Sequence, residues 1–165
     1  MKKLFMLSSL LVILFSSCQK DLVNVPDQKY NVDVIVSPVL NLQAISANQN
    51  VIITSYRIIN YGPKVTINSV TLSVYNPIGI TSIAYRFTNS TTWNSVSLGI
   101  GTTDIVFNVG KTLCTGESTK DFNVRISTGS FYGSGIGITN IKSIDTDLGI
   151  WTPASSTEIY FQLYN

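Results

Sequence analysis

The chain has 165 residues, which is enough for one ordinary domain with a substantial buried core. It carries 11 Lys and Arg residues against 9 Asp and Glu residues, without a basic run, so nothing indicates a nucleic-acid partner. The sequence contains no histidine. Ser-His-Asp and Cys-His catalytic sets and histidine-ligated metals are therefore excluded.

Residues 1–17 have the pattern of a bacterial lipoprotein signal peptide. Lys2 and Lys3 form a charged start, residues 4–15 form a short apolar run, and two serines precede Cys18. A helix of that run would be about 18 Å long, against a membrane hydrocarbon core of about 30 Å. We therefore predict cleavage before Cys18 and its acylation, by palmitate for example. A plain secretory signal is the alternative.

Residues 18–29 are predicted to be the lipidated cysteine and a flexible tether, because they are polar and lack apolar periodicity. The run from Cys18 to Asp21 resembles the signal that sends lipoproteins of some Gram-negative bacteria to the outside of the outer membrane. We therefore expect a lipid-anchored protein at the cell surface. Loss of Lys2 and Lys3 with the signal leaves nine basic residues against nine acidic ones, a neutral mature chain.

Residues 30–165 are predicted to form one all-β domain. Short segments rich in β-branched and aromatic residues alternate with Gly, Pro and Asn turns, and no window has a helical period with caps. This pattern is typical of a two-sheet sandwich or a barrel. The predicted strands are residues 32–36, 50–60, 65–75, 80–88, 93–98, 105–109, 122–127, 135–144 and 157–163.

Three turns within this region resemble those of the CARDB-like, Ig-like repeat modules of bacterial surface proteins. They are Asn-Tyr-Gly-Pro at residues 60–63, Gly-Glu-Ser at residues 116–118 and an acidic turn at residues 145–147. The family usually has Pro where this chain has Thr115. The resemblance implies an Ig-like antiparallel β-sandwich and no particular reaction, since a fold does not determine function.

The reactive side chains form no recognisable catalytic or metal site. With Cys18 lipidated, we interpret Cys114 as a small apolar side chain at a strand end, the alternatives being an intermolecular disulfide or a reactive thiol. Asp145 and Asp147 fit an acidic surface turn better than a calcium loop or a hydrolytic pair. We therefore expect no enzymatic activity, no metal and no cofactor.

Large aromatic residues near predicted loops are the candidate binding residues. Phe131, Tyr132 and Trp151 are candidates for stacking on a sugar or anchoring a protein partner. The alternative is that they plug the ends of the sandwich. Trp93 is predicted to be a core residue, by analogy with the buried Trp of Ig-like sandwiches.

The sequence thus predicts a non-enzymatic cell-surface lipoprotein that presents an Ig-like module for adhesion or for an envelope complex. A glycan-binding accessory lipoprotein and an envelope inhibitor or immunity-type lipoprotein are the alternatives. An exposed aromatic platform would favour glycan binding. A flat apolar patch or an open sheet edge would favour a protein partner.

Overall fold

A computed structural model describes residues 32–38, 44–153 and 156–165. The signal peptide, residues 1–17, and the tether, residues 18–29, lie outside the described residues. Within the described ranges the chain forms strands and no helix. The strands are β1 Val32–Pro38, β2 Ala44–Ile45, β3 Asn50–Asn60, β4 Val65–Asn76, β5 Ile80–Phe87, β6 Asn94–Ser97, β7 Gly101–Leu113, β8 Phe122–Thr128, β9 Ser134–Thr146, β10 Gly149–Trp151 and β11 Ile159–Tyr164.

The strands form an Ig-like β-sandwich, as predicted. One sheet has five strands in the order β1-β3-β8-β5-β6, and the other has six, with β2-β11-β9-β4-β7 in order and β10 added to β9. Neighbouring strands are antiparallel except β2 and β11, which run parallel. In the part of the chain that the structure describes, no helix is long and apolar enough to span a membrane.

The two sheets form because each strand has one apolar side. In β8, Phe122, Val124 and Ile126 are buried, while the residues between them are half-buried on the opposite face. Phe122 meets Phe107 of the other sheet edge to face, with ring centroids 4.9 Å apart. Each fully buried side chain of this size stabilises the fold by about 1.5–3 kcal/mol. The apolar core therefore lies between the sheets.

Tyr56 is a buried polar link between the sheets. Its hydroxyl donates to the carbonyl oxygen of Thr157 at 3.2 Å and lies 3.4 Å from Oγ1 of Thr139. Burial raises the pKa of Tyr56 to about 12, because the phenolate would lose its hydration. The neutral phenol thus ties β3 to β9 and to the segment before β11.

The sequence predicted most strands and missed two short ones, β2 and β10. It also placed only residues 105–109 in β7, whereas the strand runs over Gly101–Leu113. Among the described strands β7 pairs only with β4, at the edge of its sheet, so most of its side chains face solvent and are polar. Its register shifts near Gly110, where φ is +60°. A bulge of this kind protects a long edge strand from pairing with other chains.

The turns that resemble those of CARDB-like modules have structural roles. The Asn60 side chain accepts from the Gly62 N–H at 3.0 Å and donates to the carbonyl oxygen of Pro63 at 2.7 Å. The Asp147 carboxylate accepts from the Thr66 N–H at 2.9 Å, which fastens the β9–β10 turn to β4. These contacts explain why Asn and Asp occur there.

Candidate binding face

The structure separates the two adjacent aromatics of the β8–β9 loop. Phe131 is buried, with a relative exposure of 6%. Its ring packs on Gly79, where an added Cβ would lie 2.3 Å from a ring carbon. Tyr132 is 87% exposed. The expectation that both rings form a contact surface needs correction. Phe131 is buried and cannot contact a partner, so Tyr132 is the ring of this pair that remains available.

Trp151 and Tyr132 are not brought together. Trp151 is half-buried on β10 opposite Ile144, and its indole N–H donates to Oγ1 of Thr146 at 3.2 Å. Tyr132 precedes Ser134, at the other end of β9. Ten residues of strand separate these two positions by roughly 33 Å, so the three predicted aromatics do not form one site.

Trp93 lies outside the core, contrary to the sequence prediction. It is half-buried before β6, and the guanidinium carbons of Arg86 and Arg125 lie 4.5 Å and 4.4 Å from its ring centroid. The analogy with a buried sandwich Trp fails because this Trp precedes an edge strand. It packs on the outside of the five-stranded sheet.

Cys114 follows β7 and is half-buried. Its N–H donates to the carboxylate of Glu117 at 2.8 Å. Its sulfur is not free, which differs from the interpretation of Cys114 as a side chain without a partner. Cys18 also lies outside the described residues, so its lipidation stays a prediction.

Two exposed tyrosines and a half-buried isoleucine form a row across the outer face of the six-stranded sheet. Ile138 of β9 pairs with Tyr75 of β4 on one side and with Tyr160 of β11 on the other. Tyr75 and Tyr160 are 43% and 46% exposed. The two tyrosines stand about 10 Å apart, since neighbouring strands are about 4.8 Å apart. We call these three residues the Tyr row.

Buried residues beside the Tyr row hold it in place. Gly137 faces the core, where an added Cβ would lie 2.1 Å from the Phe161 ring, so its lack of a side chain lets β9 and β11 pair with Phe161 inside. The Asn76 amide donates to the carbonyl oxygens of Ile80 and Gly99 at 2.8 Å. It thereby fixes the strand end that carries Tyr75.

The Tyr row continues into further apolar and polar surface. Ile136, two residues before Ile138 on β9, is 57% exposed, and Tyr164, four residues after Tyr160 on β11, is 43% exposed. The hydroxyl of Tyr160 donates to the Glu158 carboxylate, and this raises the pKa of Tyr160. Polar residues adjoin the row on both sides. Gln162 lies opposite Ile136, and towards the other end Ser73 lies between Asn140 and Asp104.

The charges near the Tyr row are paired at its margin. The Lys142 ammonium donates to the Asp104 carboxylate, and this hydrogen bond lowers the pKa of Asp104. Both residues are exposed, so the pair contributes little to stability. In the described ranges, no group of three or more His, Cys, Asp or Glu side chains could hold a metal. The two charged groups at this margin are thus already paired with each other.

Sequence reasoning missed the Tyr row for a physical reason. Tyr75, Ile138 and Tyr160 each lie on the polar side of an alternating strand, which is visible in the sequence. Their meeting depends on the pairing of β4, β9 and β11, which are far apart in the chain and in non-sequential order. The signal that the sequence did contain was a large Tyr or Ile side chain at an outward position on each of three strands.

Comparison with known proteins gives fold-level similarity only. No protein-family model matches the chain, and no curated protein matches it. Membership of the CARDB-like family therefore stays a prediction.

Two solved structures resemble the chain at 12% identity. One is AvmM, which catalyses macrocyclization in alchivemycin A biosynthesis, with a TM-score of 0.48 and coverage of 82% of this chain and 89% of that chain. The other is a cohesin module from a Clostridium perfringens ATCC13124 family 33 glycoside hydrolase, with a TM-score of 0.45 and coverage of 82% and 99%. At this level neither protein's activity nor its partners extend to this chain.

Proposed function

We propose that this chain is a non-enzymatic, cell-surface lipoprotein whose sandwich binds a protein partner through the Tyr row and the residues beside it. The observation that carries the proposal is the cross-strand alignment of Tyr75, Ile138 and Tyr160 on an outer face. A sheet face in water normally carries polar side chains. Large apolar groups aligned on such a face mark an interaction site.

The composition of this face favours a protein partner. Protein interfaces have an apolar centre enriched in Tyr and depleted of charge, surrounded by a polar rim. Here Ile136, Ile138 and the tyrosines form the centre, and the charged groups of Asp104, Lys142 and Glu158 are engaged at the margin. A surface-exposed envelope protein with a complementary flat apolar patch fits this arrangement.

Glycan binding is the second candidate, and one observation favours it. Tyr75 and Tyr160 flank Ile138 about 10 Å apart, and the Gln162 and Asn140 amides lie in adjoining rows. Tyrosine rings stack on the apolar faces of sugars, while amides hydrogen-bond hydroxyls. A linear polysaccharide could follow the row across the strands.

The test is a Tyr75→Ser, Tyr160→Ser double variant in the native bacterium. Chemical cross-linking and affinity purification measure a protein partner, and retention on immobilised surface polysaccharides measures a glycan. We expect a discrete cross-linked envelope protein with the parent and at least about 30-fold less with the variant, because such residues carry interface energy.

Tyr61→Ser is the matched control, since Tyr61 is also an exposed tyrosine, at 52%, but lies in the β3–β4 turn. It should leave the adduct unchanged. Loss of polysaccharide retention in place of a protein adduct would select the glycan candidate. Equal adduct yield from the parent and the double variant would exclude this face as the contact surface.

We further propose that Cys18 is the lipid anchor and that the domain stands on the outer face of the outer membrane. The support is the short apolar run before Cys18 and the polar residues after it. Two or more acyl chains are needed for a stable anchor, at about 0.8 kcal/mol for each buried CH₂ group.

A Cys18→Ala variant tests the anchor. It should leave the membrane fraction and lose lipid labelling, and protease added to intact cells should digest the parent protein. The chain has two cysteines, so a lipid on the Cys18 thiol and a disulfide from Cys18 to Cys114 exclude each other. Recovery of that disulfide-linked peptide from the membrane-bound protein by mass spectrometry would refute lipidation.

A further inference from the structure

The outer face of the five-stranded sheet carries a second, chemically different cluster. Arg86 lies on β5 and Arg125 on the neighbouring β8, where it pairs with Ala84, two residues from Arg86. The indole of Trp93, from the β5–β6 connection, lies against both guanidinium groups. We call Arg86, Trp93 and Arg125 the Arg–Trp cluster.

Both guanidinium groups lack an anionic partner within the described part of the chain. The ion pairs there join Arg57 to Asp121 and Lys142 to Asp104. The Nε atoms of Arg86 and Arg125 are buried and have no hydrogen-bond acceptor among the described residues. Because the two Nε atoms are covered, a ligand from solvent would contact the terminal N–H groups of each guanidinium, which are not among the buried unpaired atoms.

The geometry holds two positive charges close together. Each guanidinium carbon is within 4.5 Å of one ring centroid, so the two carbons are at most about 9 Å apart. The negative face of the indole attracts each of them. The two charges still repel one another, because their separation is close to the Debye length of about 8 Å at physiological salt. An anion that contacts both groups would remove this repulsion.

We propose that the Arg–Trp cluster binds one phosphate group, supplied either as inorganic phosphate or as a lipid headgroup. A phosphate monoester carries about two negative charges and three acceptor oxygens, which match two unpaired guanidinium groups. A carboxylate brings one charge and two oxygens. Asn123, paired directly with Arg86 in the sheet, places a further amide donor beside the cluster.

The indole positions the two arginines for this role. Arginine binds phosphate through parallel N–H donors in its guanidinium plane, and stacking on Trp93 restricts the orientation of that plane. Arg57 provides a matched contrast, because its Nε donates to Asp121 at 2.6 Å on an exposed part of the same sheet. Only the unpaired guanidinium groups are predicted to bind.

The experiment follows the arginine Nε–H resonances of the full chain by NMR in micelles of an uncharged detergent. Inorganic phosphate is titrated in one arm, and micelles containing phosphatidate are compared with phosphatidylcholine micelles in the other. We expect saturable shifts of the Arg86 and Arg125 signals. Arg125→Lys should weaken binding at least about tenfold, because it keeps the charge but loses the fork.

The Arg86→Gln, Arg125→Gln double variant should abolish the response, and Arg57→Gln should preserve it. Saturation with inorganic phosphate alone assigns the site to free phosphate, and a response to phosphatidate alone assigns it to a headgroup. The proposal is overturned if neither arm shifts the resonances, if Arg125→Lys binds like the parent, or if Arg57→Gln lowers binding as much as Arg125→Lys. This site lies on the opposite sheet from the Tyr row, so either proposal can fail without the other.

Discussion

The two outer faces of the sandwich differ in how their large side chains are used. On the five-stranded sheet, Trp93 lies against Arg86 and Arg125, so its ring is engaged within the molecule. On the six-stranded sheet, the rings of Tyr75 and Tyr160 remain more than two-fifths exposed. The aromatic ring of one face is thus covered by arginines of the same sheet, while the aromatic rings of the other face are open to solvent.

This difference shows which surface properties the fold determines and which it leaves free. Both inner faces need alternating apolar residues to close the core, and both have them. The outward positions carry no such requirement, so cation–π stacking and an apolar row are equally compatible with the sandwich. Function on such a fold has to be argued from the outward residues.

Phe131 and Tyr132 are adjacent aromatic residues, one buried and one exposed, and they should differ most in their contribution to stability. Phe131→Ala should lower the free energy of unfolding by about 3–5 kcal/mol, because it empties a packed site over Gly79. Tyr132→Ala should change it by less than about 0.5 kcal/mol. Urea unfolding measures both. Similar losses for the two variants would contradict the placement of Phe131 in the core.

The next prediction concerns the link between the sheets that keeps the two faces fixed. The pKa of Tyr56 is raised from 10.0 to about 12 in the folded protein, so folding favours the protonated form. The stabilisation is complete below pH 10 and is lost as pH rises towards 12, by on the order of 1–3 kcal/mol. Tyr56→Phe should lack this added loss. If the free energy of unfolding falls equally for the parent and for Tyr56→Phe from pH 9 to about pH 12, the assignment of this loss to Tyr56 is wrong.

One substitution on each outer face compares how much the aromatic residues there contribute to stability. Trp93→Leu should destabilise the fold by about 1–2 kcal/mol, since it removes two cation–π contacts of roughly 0.5–1 kcal/mol each. Tyr75→Leu, on the other face, should cost less than about 0.5 kcal/mol. Thermal unfolding of the two variants provides the measurement. A larger loss from Tyr75→Leu would reverse the comparison.

The sequence predicted the fold class and most strands because alternation and turn chemistry are local. The segment over residues 50–60 was predicted with the bounds that β3 shows, since its ends are marked by Asn residues and a Gly-Pro turn. β7 was predicted too short because an edge strand keeps a polar exterior, and after the buried Ile105 and Phe107 the next fully buried residue is Leu113, six positions further on.

The binding face could not be predicted in the same way. Phe131 and Tyr132 are adjacent and chemically alike, yet a glycine 52 positions earlier gives room to one ring only. The Tyr row and the Arg–Trp cluster each depend on strand register between distant segments. Register is set by packing of the whole sheet, which a single sequence does not display.

The central claim is that the face carrying the Tyr row contacts a partner. Its most direct test is a photo-cross-linking amino acid placed at Tyr75 or Tyr160, and at Asn123 on the opposite sheet, in the native bacterium. We expect a discrete protein adduct from the first two positions and none from Asn123. Adducts of equal yield from both sheets, or from Asn123 alone, would contradict it.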